Sequence, residues 1–573
     1  MIREFFKVYK LVYNYNSFKS IYFNFIVIIS TFLEGISIGI IFPLLDLTIN
    51  KNKENIIFDL FPFINLENPN YILKMIVIFI CIFLIKSIFL VYLSWWRSGY
   101  IKELNFYFRS QIFKKYILSK YDFFLINKPS IIMRNSFNEI SFLVQSIDSI
   151  LKLISEFFVF FVIFLVLIYF EAKGTAVGIL IFGLSGLIYI IFLKNFLKNW
   201  SKNVQYFSGK IIQTIQQSID TIKFLKISNI EKKAIKDYDF NITEFVRYHR
   251  LRNFFSDIPR IFLELLGVIV ILTIFYYLYD PNRSDMSYLV PSISLIAAAA
   301  FRLLPSIGRI MNYMQSLYGV SASIQTIQSA LSKNEGRVKE VSNNTKLKLN
   351  EKIELRNITF SYPNTNYKIL NNFNLKISKN EFICFVGESG VGKTTIIDLI
   401  SGILEPENGE IIIDGNKLDE SNKFIWQKNI GYVSQNTILY NGSIKENISI
   451  LENDKVDDLK INNAIYFSKL EEFIKSKKEG LDFIISEKGS NLSGGQIQRL
   501  GIARSLYNDP QVLILDEFTS ALDQKTQLDI LNSIESLIGK KTIITISHNK
   551  AVFDKADKII QLKKNQNGKI EIS

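Results

Sequence analysis

The chain has 573 residues, 49% of them apolar and 14% aromatic, and its formal net charge is +14. This length allows several domains, and the only cysteines, Cys81 and Cys384, lie in regions of different character, which excludes a small disulfide-stabilised secreted protein. We interpret both cysteines as small buried hydrophobic residues. The positive charge would suit a nucleic-acid-binding protein, but it follows the connections between apolar segments. We therefore expect no nucleic-acid partner.

Long apolar segments recur up to about residue 320, and the rest of the chain has the composition of a soluble α/β protein. A helix needs about 20 apolar residues to cross a bilayer. These segments predict an α-helical membrane domain over residues 1–331, and Pro305 is expected to loosen its last helix. The six predicted spans are Ile21–Asp46, Tyr71–Trp96, Ile147–Phe170, Gly174–Leu193, Ile258–Tyr279 and Tyr288–Ile310.

The connections between these spans differ in length and charge. The two long ones, Arg97–Ser146 and Lys194–Asp257, contain 8 and 12 lysines and arginines. The three shorter ones, Leu47–Asn70, Glu171–Lys173 and Asp280–Ser287, contain four together. Because positive residues accumulate on the cytoplasmic side of membrane proteins, we place the long connections and both termini in the cytoplasm.

Both long connections keep a helical apolar rhythm, as in "IIQTIQQSIDTIKFLKI", which predicts that the membrane helices continue into the cytoplasm. Each connection would turn back at a short segment, near Tyr121–Pro129 and near Thr221–Ile230. In the first outer connection, "NIIFDLFPFINL" is apolar, aromatic and too short to span a membrane. It fits a helix or turn in the outer interface, or an ordinary ordered loop.

The polar segment at residues 332–350 predicts a linker, and a second domain is expected over residues 351–573. Its strongest signal is "FVGESGVGKTT", which matches G-x-x-x-x-G-K-[ST] between a predicted strand and a predicted helix. Glycines let backbone N–H groups close around phosphates, and the helix N-terminus adds its positive dipole end. Lys393 is expected to reach the β- and γ-phosphates, and Thr394 to ligate Mg²⁺. The predicted ATP-binding residues of this loop are Gly387, Glu388, Ser389, Gly390, Val391, Gly392, Lys393, Thr394 and Thr395.

Two further motifs support a nucleotide site. "QVLILDE" is an apolar strand that ends in two carboxylates; Asp516 would hold Mg²⁺ through water and Glu517 would polarise the attacking water. A solvated turn is the alternative, but the apolar run favours a catalytic position. "NLSGGQIQR" opens a helix with a Ser-Gly-Gly turn, which is a second anion-binding surface. Two phosphate-binding surfaces in one domain suggest that two domains share each nucleotide.

Together, "GESGVGKTT", "LSGGQIQR", "LILDE", "SALD" and "ISH" resemble the phosphate loop, signature, Walker B, D-loop and switch-histidine motifs of ABC transporter ATPases. The resemblance implies an α/β P-loop ATPase domain that uses ATP and Mg²⁺. It implies that Tyr362 stacks on adenine, that Gln435 contacts Mg²⁺ and relays to the membrane domain, and that His548 is catalytic. The other implied ATP-binding residues are Ser493, Gly494, Gly495 and Gln496, which face the nucleotide of the opposite subunit, and Asp523 of the D-loop.

Six spans with long cytoplasmic extensions, fused to one such ATPase domain, resemble the exporter-type half-transporters of this superfamily. The turn-back segments would then be coupling helices that dock on the ATPase domain. Phe518 and Asn549 depart from the usual residues of the family, but neither departure removes a catalytic group. One chain supplies half of a transporter, and its complete ATP site, with Glu517 present, favours a homodimer with a second copy of the same chain.

Four basic residues in or next to the spans, Lys86, Arg260, Arg302 and Arg309, are candidate substrate-binding residues, because a charge in hydrocarbon is costly. Together they would suit an anionic head group. Alternatively, Arg260 and Arg309 extend to the inner interface as anchors, and Lys86 pairs with an acid such as Glu34. Depth in the membrane favours the first interpretation for Arg302 and Lys86 and the second for Arg309.

The segments "IPRIFLELLG" and "FRLLPSIGRI" are similar to segments of the bacterial flippases that turn over polyisoprenyl-pyrophosphate-linked oligosaccharides for protein N-glycosylation. This resemblance implies ATP-driven flipping of a lipid-linked oligosaccharide to the outer leaflet of a bacterial inner membrane, with the basic residues attracting the pyrophosphate. Two alternatives remain: an exporter of a peptide, drug or other lipid, and an ATP-gated regulator that does not transport.

Overall fold

The computed structural model describes residues 2–50, 71–170, 172–278, 289–332, 347–365, 367–450, 456–486, 489–518, 524–564 and 570–572. The predicted interfacial element "NIIFDLFPFINL", the last outer connection, most of the predicted linker and Asp523 lie outside the described residues. The chain divides into two compact units, one of Met1–Ile117 with Lys128–Asn334 and one of Leu118–Asn127 with Glu335–Ser573.

Helices build the first unit, and the six predicted spans fall on them. One short helix, α5, belongs to the second unit although it lies among them in sequence. A π-helical turn, Asn135–Glu139, joins α6 to α7. The helices are α1 (Ile2–Tyr15), α2 (Ser17–Gly39), α3 (Ile41–Asn50), α4 (Tyr71–Ile117), α5 (Tyr121–Ile126), α6 (Pro129–Arg134), α7 (Ile140–Phe170), α8 (Ala172–Asp220), α9 (Ile222–Ser228), α10 (Glu231–Leu278) and α11 (Leu289–Ser332).

Four helical segments among the described residues are long and apolar enough to cross a membrane: Ser17–Leu45, Ile72–Ile117, Pro129–Phe170 and Ser294–Met314. The predicted spans on α8 and α10 include many residues whose side chains the structure does not describe. As predicted, α4, α8 and α10 continue far beyond the apolar segments, and α5 and α9 form at the two turn-back segments.

Three details differ from the sequence-based expectations. The first predicted span is two helices, because Pro43 has no N–H for the carbonyl of Gly39, and α2 therefore ends before α3 begins. By contrast, α11 runs through Pro305 as one helix. Cys384 is buried as expected, but the expectation was wrong for Cys81, which is exposed. Cys81 lies on α4, whose apolar window has only 6% of its residues buried within the described chain.

Helix α2 approaches α7 closely at a glycine. A Cβ atom built on Gly35 would clash with Cγ1 of Val162, whereas a Cβ atom at Gly99 on α4 would meet nothing within 4 Å. Small residues allow membrane helices to pack backbone against backbone, so this contact fixes the spacing of α2 and α7.

The second unit combines three sheets with short helices. Strands β11, β3, β10, β9 and β6 are neighbours in one parallel sheet, which the antiparallel β12 extends to six strands. A four-stranded antiparallel sheet has the order β2-β1-β4-β5, and β7 pairs with β8. The strands are β1 (Lys352–Ser361), β2 (Lys368–Ser378), β3 (Phe382–Gly387), β4 (Asn408–Ile413), β5 (Asn416–Lys417), β6 (Ile430–Val433), β7 (Gly442–Ser443), β8 (Ile484–Ile485), β9 (Val512–Asp516), β10 (Thr542–Ile546), β11 (Lys558–Lys564) and β12 (Ile570–Ile572).

The helices of this unit begin with α12, directly after the phosphate loop. They are α12 (Lys393–Ile400), α13 (Lys423–Gln427), α14 (Ile444–Ile448), α15 (Asp458–Ser468), α16 (Glu471–Lys475), α17 (Gly494–Leu506), α18 (Gln524–Glu535) and α19 (Lys550–Phe553), with a 3₁₀ turn at Gly480–Asp482. Helix α5 is held here by Lys120, whose ammonium lies 2.9 Å from a Glu405 oxygen and 2.5 Å from a Glu420 oxygen.

The parallel sheet places the predicted catalytic groups together. Every residue of β9 and β10 is buried, as expected for strands covered on both faces. In register, Ile546 lies beside both Phe385 and Asp516, so β3, β10 and β9 end at one edge of the sheet. In open α/β sheets, ligands bind at this carboxyl edge.

The close approach of α2 and α7 gives a test of the packing. Gly35→Ala is expected to lower the stability of the membrane unit by about 1–3 kcal/mol, because its methyl group overlaps Val162. The midpoint of thermal unfolding of the full chain in nanodiscs measures this effect. The second change Val162→Ala should restore much of the loss, and Gly99→Ala should cause none. An unchanged midpoint for Gly35→Ala would contradict this packing.

Candidate functional site

The phosphate loop lies between β3 and α12. Gly387 and Gly392 have φ values of +155° and +99°, and Gly392 is the N-cap of α12. A Cβ atom at Gly387 would lie 2.6 Å from the backbone oxygen of Leu562, so this position admits only glycine without a shift of the backbone. The loop therefore has the tight backbone that a phosphate-binding turn requires.

Lys393 is enclosed by this loop. Its side chain is 7% exposed, and its Nζ donates hydrogen bonds to the backbone oxygens of Gly387 at 2.6 Å and Glu388 at 3.1 Å. Burial lowers the pKa of Lys393, while the charges of Glu517 and Asp516 act in the opposite direction. The ammonium thus lies between the loop backbone and the two carboxylates, where a phosphate chain would be held.

Asp516 is the last residue of β9 and Glu517 follows it, at the carboxyl edge of the sheet. Asp516 is 9% exposed, and burial raises its pKa. Glu517 has a φ of +44°, a left-handed conformation that is rare for a glutamate, and its N–H donates to the backbone oxygen of Ile546 at 3.0 Å. Backbone strain of this kind concentrates at functional sites, where it aims a side chain.

Two other predicted residues meet Glu517. Nε2 of Gln435 donates a hydrogen bond to Oε2 of Glu517 at 2.7 Å, and Nε2 of His548 lies 3.9 Å from Oε1. Three motifs that are far apart in sequence therefore converge on one carboxylate. The hydrogen bond from Gln435 orients the Glu517 carboxylate and connects it directly to the loop that contains Gln435.

The site also contains two residues that the sequence analysis missed. The hydroxyl of Tyr432 donates to Oδ2 of Asp516 at 3.3 Å, and β6 places Tyr432 beside Ile514. On α12, burial and the charge of Asp516 raise the pKa of Asp398 to about 6. Tyr432 could have been found from the sequence, because it lies only three residues before Gln435. Nothing in the sequence indicated Asp398.

The side chains near the loop fit a nucleotide-bound Mg²⁺. Magnesium commonly takes one or two carboxylates and completes its shell with phosphates and water. Asp516 and the hydroxyl of Thr394, at the start of α12, are suitable donors. Gln435 is hydrogen-bonded to Glu517, the residue that follows Asp516. Among the described residues, no group of three or more His, Cys, Asp or Glu side chains would hold a metal ion on its own.

Tyr362 lies against the same helix. Its hydroxyl is 3.0 Å from Oγ1 of Thr395, and its ring meets that of Phe360 edge to face at 5.2 Å. The predicted stacking of Tyr362 on adenine stays a prediction.

The signature residues form the start of α17. Oγ of Ser493 accepts from the N–H of Gln496 at 3.3 Å, and Oε1 of Gln496 accepts from the N–H of Ser493 at 3.0 Å. This reciprocal capping box uses both side chains to begin the helix, and Gly494 and Gly495 form its first turn. The capping box fixes the first turn of α17, and the N-terminus of a helix favours an anion.

The membrane unit holds a cluster of charges on four helices. The α11 residue Arg302 directs Nε and Nη2 at the same oxygen of Glu34 on α2, each at 2.6 Å. On α4, Nζ of Lys86 donates to Oγ of Ser37 at 3.1 Å and lies 3.9 Å from Oε1 of Glu34. The pairing of Lys86 with Glu34, one of the two interpretations offered by the sequence, is thus present in the structure.

Glu156 on α7 completes this cluster. Arg309 reaches both of its oxygens, through Nε at 2.6 Å and Nη2 at 3.3 Å, and Arg302 lies 3.7 Å from Oε2. The fully buried Ser306 donates to Oε2 at 2.7 Å and accepts from Arg302 at 2.6 Å. Arg309, which the sequence favoured as an anchor at the inner interface, is thus bound by a carboxylate of α7, and its role as an anchor stays a prediction. The side chain of Arg260 lies outside the described residues.

Comparisons with known proteins agree with this site. A family model described as ABC transporter matches residues 370–520. The chain is 30% identical over 440 residues to a protein of Rickettsia typhi named as an export ATP-binding/permease protein, covering 74% of this chain and 75% of the relative. It is 29% identical over 404 residues to the ATP-dependent lipid A-core flippase of Escherichia coli K12, covering 70% and 68%.

The fold agrees as well. The structure of a bacterial Atm1-family ABC exporter with ATP bound superposes with a TM-score of 0.76 at 18% identity, covering 95% of this chain and 93% of that one. This match confirms the predicted fold class, a helical membrane domain of exporter type fused to an α/β P-loop ATPase domain. The chain belongs to the ABC transporter family as an exporter-type half-transporter, a multi-pass membrane protein that couples ATP hydrolysis on the cytoplasmic side to export.

Proposed function

We propose that two copies of this chain form a transporter that flips a polyisoprenyl-pyrophosphate-linked oligosaccharide from the cytoplasmic to the outer leaflet of a bacterial inner membrane. The observation that carries this proposal is the charge cluster inside the membrane unit. Within the described part of the chain, this cluster contains three cations and two carboxylates, which leaves an excess of one positive charge. Such a site favours a substrate with an anionic head group.

The depth of the cluster supports a substrate that enters from the membrane. Lys86 lies about 22 Å along α4 from Tyr71, and Arg302 about 20 Å along α11 from Leu289, at 1.5 Å per residue. Both therefore lie within a hydrocarbon core of about 30 Å. A lipid tail can remain in the bilayer while its pyrophosphate reaches these residues. Arg260, two residues inside the fifth predicted span, is proposed to take part with Arg309.

ATP binding is proposed at the carboxyl edge of the parallel sheet. Lys393 and the loop N–H groups would hold the phosphates. Thr394 and Asp516, with Gln435, would hold Mg²⁺, and a bound Mg²⁺ would supply charge neutralisation at the phosphates. Glu517 polarises the attacking water, and His548 stabilises the transferred group. The remaining loop residues Glu388, Ser389, Gly390, Val391 and Thr395 wrap the nucleotide.

The partner is proposed to be a second copy of the same chain. Each chain has its own phosphate loop and its own Glu517. Two identical copies would therefore both be able to hydrolyse ATP. Ser493, Gly494, Gly495, Gln496 and Asp523 would then complete the site of the opposite copy. Because Lys120 holds α5 to Glu405 and Glu420 of the ATPase unit, we propose that α5 transmits nucleotide-driven motion.

Reconstitution tests the substrate directly. Proteoliposomes that contain the chain and a lipid-linked oligosaccharide should show ATP-dependent movement of the sugar across the bilayer. Arg302→Ala should slow this movement at least about tenfold, because it removes a buried charge partner. Arg97→Ala is the matched control, since Arg97 pairs with Asp148 outside the cluster. No movement with an active ATPase would refute the flippase, and stimulation by peptides or neutral amphiphiles would favour a different exporter.

Glu517→Gln tests the proposed catalytic group. The amide keeps the shape and the contact with Gln435 but cannot polarise water as a carboxylate does. ATP hydrolysis should fall about 100-fold or more, while ATP binding is retained. Phosphate release and binding of a fluorescent ATP analogue measure the two effects. Unchanged turnover would show that another group polarises the water.

Tyr432→Phe tests the support of Asp516. Groups that hydrogen-bond a metal ligand typically change metal affinity by 10–100-fold when they are removed. Because the contact is 3.3 Å long, we expect a rise of about tenfold in the Mg²⁺ concentration for half-maximal ATPase activity. ATP binding without Mg²⁺ should not change. An equal loss at all Mg²⁺ concentrations would instead indicate a general structural defect.

A further inference from the structure

The two carboxylates of the charge cluster are buried more deeply than the cations that they hold. The side chains of Glu34 and Glu156 are 3% and 14% exposed, whereas those of Arg302 and Arg309 are 24% and 39% exposed. The guanidinium groups therefore retain a free side, and the carboxylates lie behind them. A ligand that approaches the cluster meets the cations first.

The contacts of Glu34 are one-sided. Its Oε1 receives Nε and Nη2 of Arg302 and faces Lys86, while its buried Oε2 has no hydrogen-bond partner among the described residues. A guanidinium normally binds a carboxylate through both oxygens, with two parallel hydrogen bonds. Arg302 is thus bound by only one of the two oxygens of Glu34.

Glu156 is held more evenly but is also shared. Its two oxygens serve Arg309, while Oε2 additionally accepts from Ser306 and lies 3.7 Å from Arg302. Phosphate oxygens have the same fork geometry for guanidinium as a carboxylate has. Each carboxylate therefore occupies the donors that a phosphate group of a substrate would use.

We propose that Glu34 and Glu156 are built-in competing anions that set the selectivity of this site for strongly anionic head groups. A charge in hydrocarbon needs a counter-charge, and an incoming phosphate that replaces a glutamate leaves neither arginine of the cluster unpaired. The displaced carboxylate keeps a partner as well, because Glu34 remains beside Lys86 and Glu156 still accepts from Ser306. A neutral head group cannot make this exchange, because it would separate the ion pairs without replacing them. The glutamates thus set a threshold for anions, which a strongly charged head group such as a pyrophosphate can pass and a weakly charged one cannot.

The exchange also acts on the helices. Glu34 ties α2 to α11, and Glu156 ties α7 to α11. When a phosphate takes over Arg302, the tie between α2 and α11 is released, while Glu156 still accepts a hydrogen bond from Ser306 of α11. Binding of an anionic ligand therefore frees α11 from α2, whereas binding of a neutral ligand leaves both ties in place.

This inference rests on the proposed function, because it takes the substrate to carry a phosphate or pyrophosphate. The test uses the full-length chain in nanodiscs of neutral lipid and measures equilibrium binding of three probes. They are farnesyl pyrophosphate, its uncharged counterpart farnesol, and inorganic pyrophosphate. The variants are Glu34→Gln and Glu156→Gln, which remove the competing charge but keep the shape. Asp148→Asn is the matched control, since Asp148 on α7 pairs with Arg97 and Lys152 outside the cluster.

Removal of either competing charge should tighten binding of farnesyl pyrophosphate by about fivefold or more. Binding of farnesol should not change, and Asp148→Asn should behave as the wild-type chain does. Tighter binding of inorganic pyrophosphate as well would show that the phosphate alone drives the exchange; tightening of the farnesyl form only would show that the lipid tail brings it to the site. Either result supports competition by the glutamates.

Unchanged or weaker binding in both glutamine variants, with the wild-type chain binding normally, would overturn the inference and leave the proposed substrate class intact. The same would follow if Asp148→Asn tightened binding equally. If the wild-type chain bound no pyrophosphate probe, the proposed substrate class and the inference would both fail. Glu34→Asp serves if a glutamine variant does not fold: it keeps the charge, shortens its reach, and should tighten binding by a smaller factor.

Discussion

A charged side chain in the hydrocarbon core needs a counter-charge, and this constraint organises the described part of the membrane unit. Arg302 is a cation in that layer, and it lies close to two carboxylates, Glu34 on α2 and Glu156 on α7. Ser306, one turn after Arg302, is fully buried and bridges the two halves of the cluster. Helices that share such a cluster cannot separate without exposing charges, so electrostatics decides which helices stay together.

Packing reinforces this arrangement. Gly35 directly follows Glu34, and the absence of a side chain there lets α2 lie against Val162 of α7. The carboxylate of Glu34 can then point to α11 from a helix that is already close. The apolar contact and the ion pair therefore form at the same turn of α2. Each holds the helices close enough for the other to form.

The ATPase unit depends on a different constraint, the alignment of parallel strands. Because β3, β10 and β9 end in register, the phosphate loop, the switch histidine and the two Walker B carboxylates meet at one edge. The strained backbone of Glu517 and its hydrogen bond from Gln435 follow from this convergence. Gln435, in the loop after β6, therefore contacts this edge through the side chain of Glu517.

The sequence predicted the features that depend on short stretches of chain. The glycines and Lys393 of the phosphate loop, the apolar strand before Asp516 and the apolar spans are all local patterns. The pairing of Arg309 with Glu156 joins residues 153 positions apart, and no periodicity reveals it. The exposure of Cys81 depends likewise on which helix packs against which.

One measurement addresses the central claim, that the intramembrane cations exchange an internal carboxylate for an anionic head group. It is a cryo-electron microscopy structure of the protein in nanodiscs with farnesyl pyrophosphate bound. We expect the guanidinium of Arg302 or Arg309 to contact the pyrophosphate, with its bond to Glu34 or Glu156 broken. Pyrophosphate bound elsewhere, with both ion pairs intact, would contradict the account.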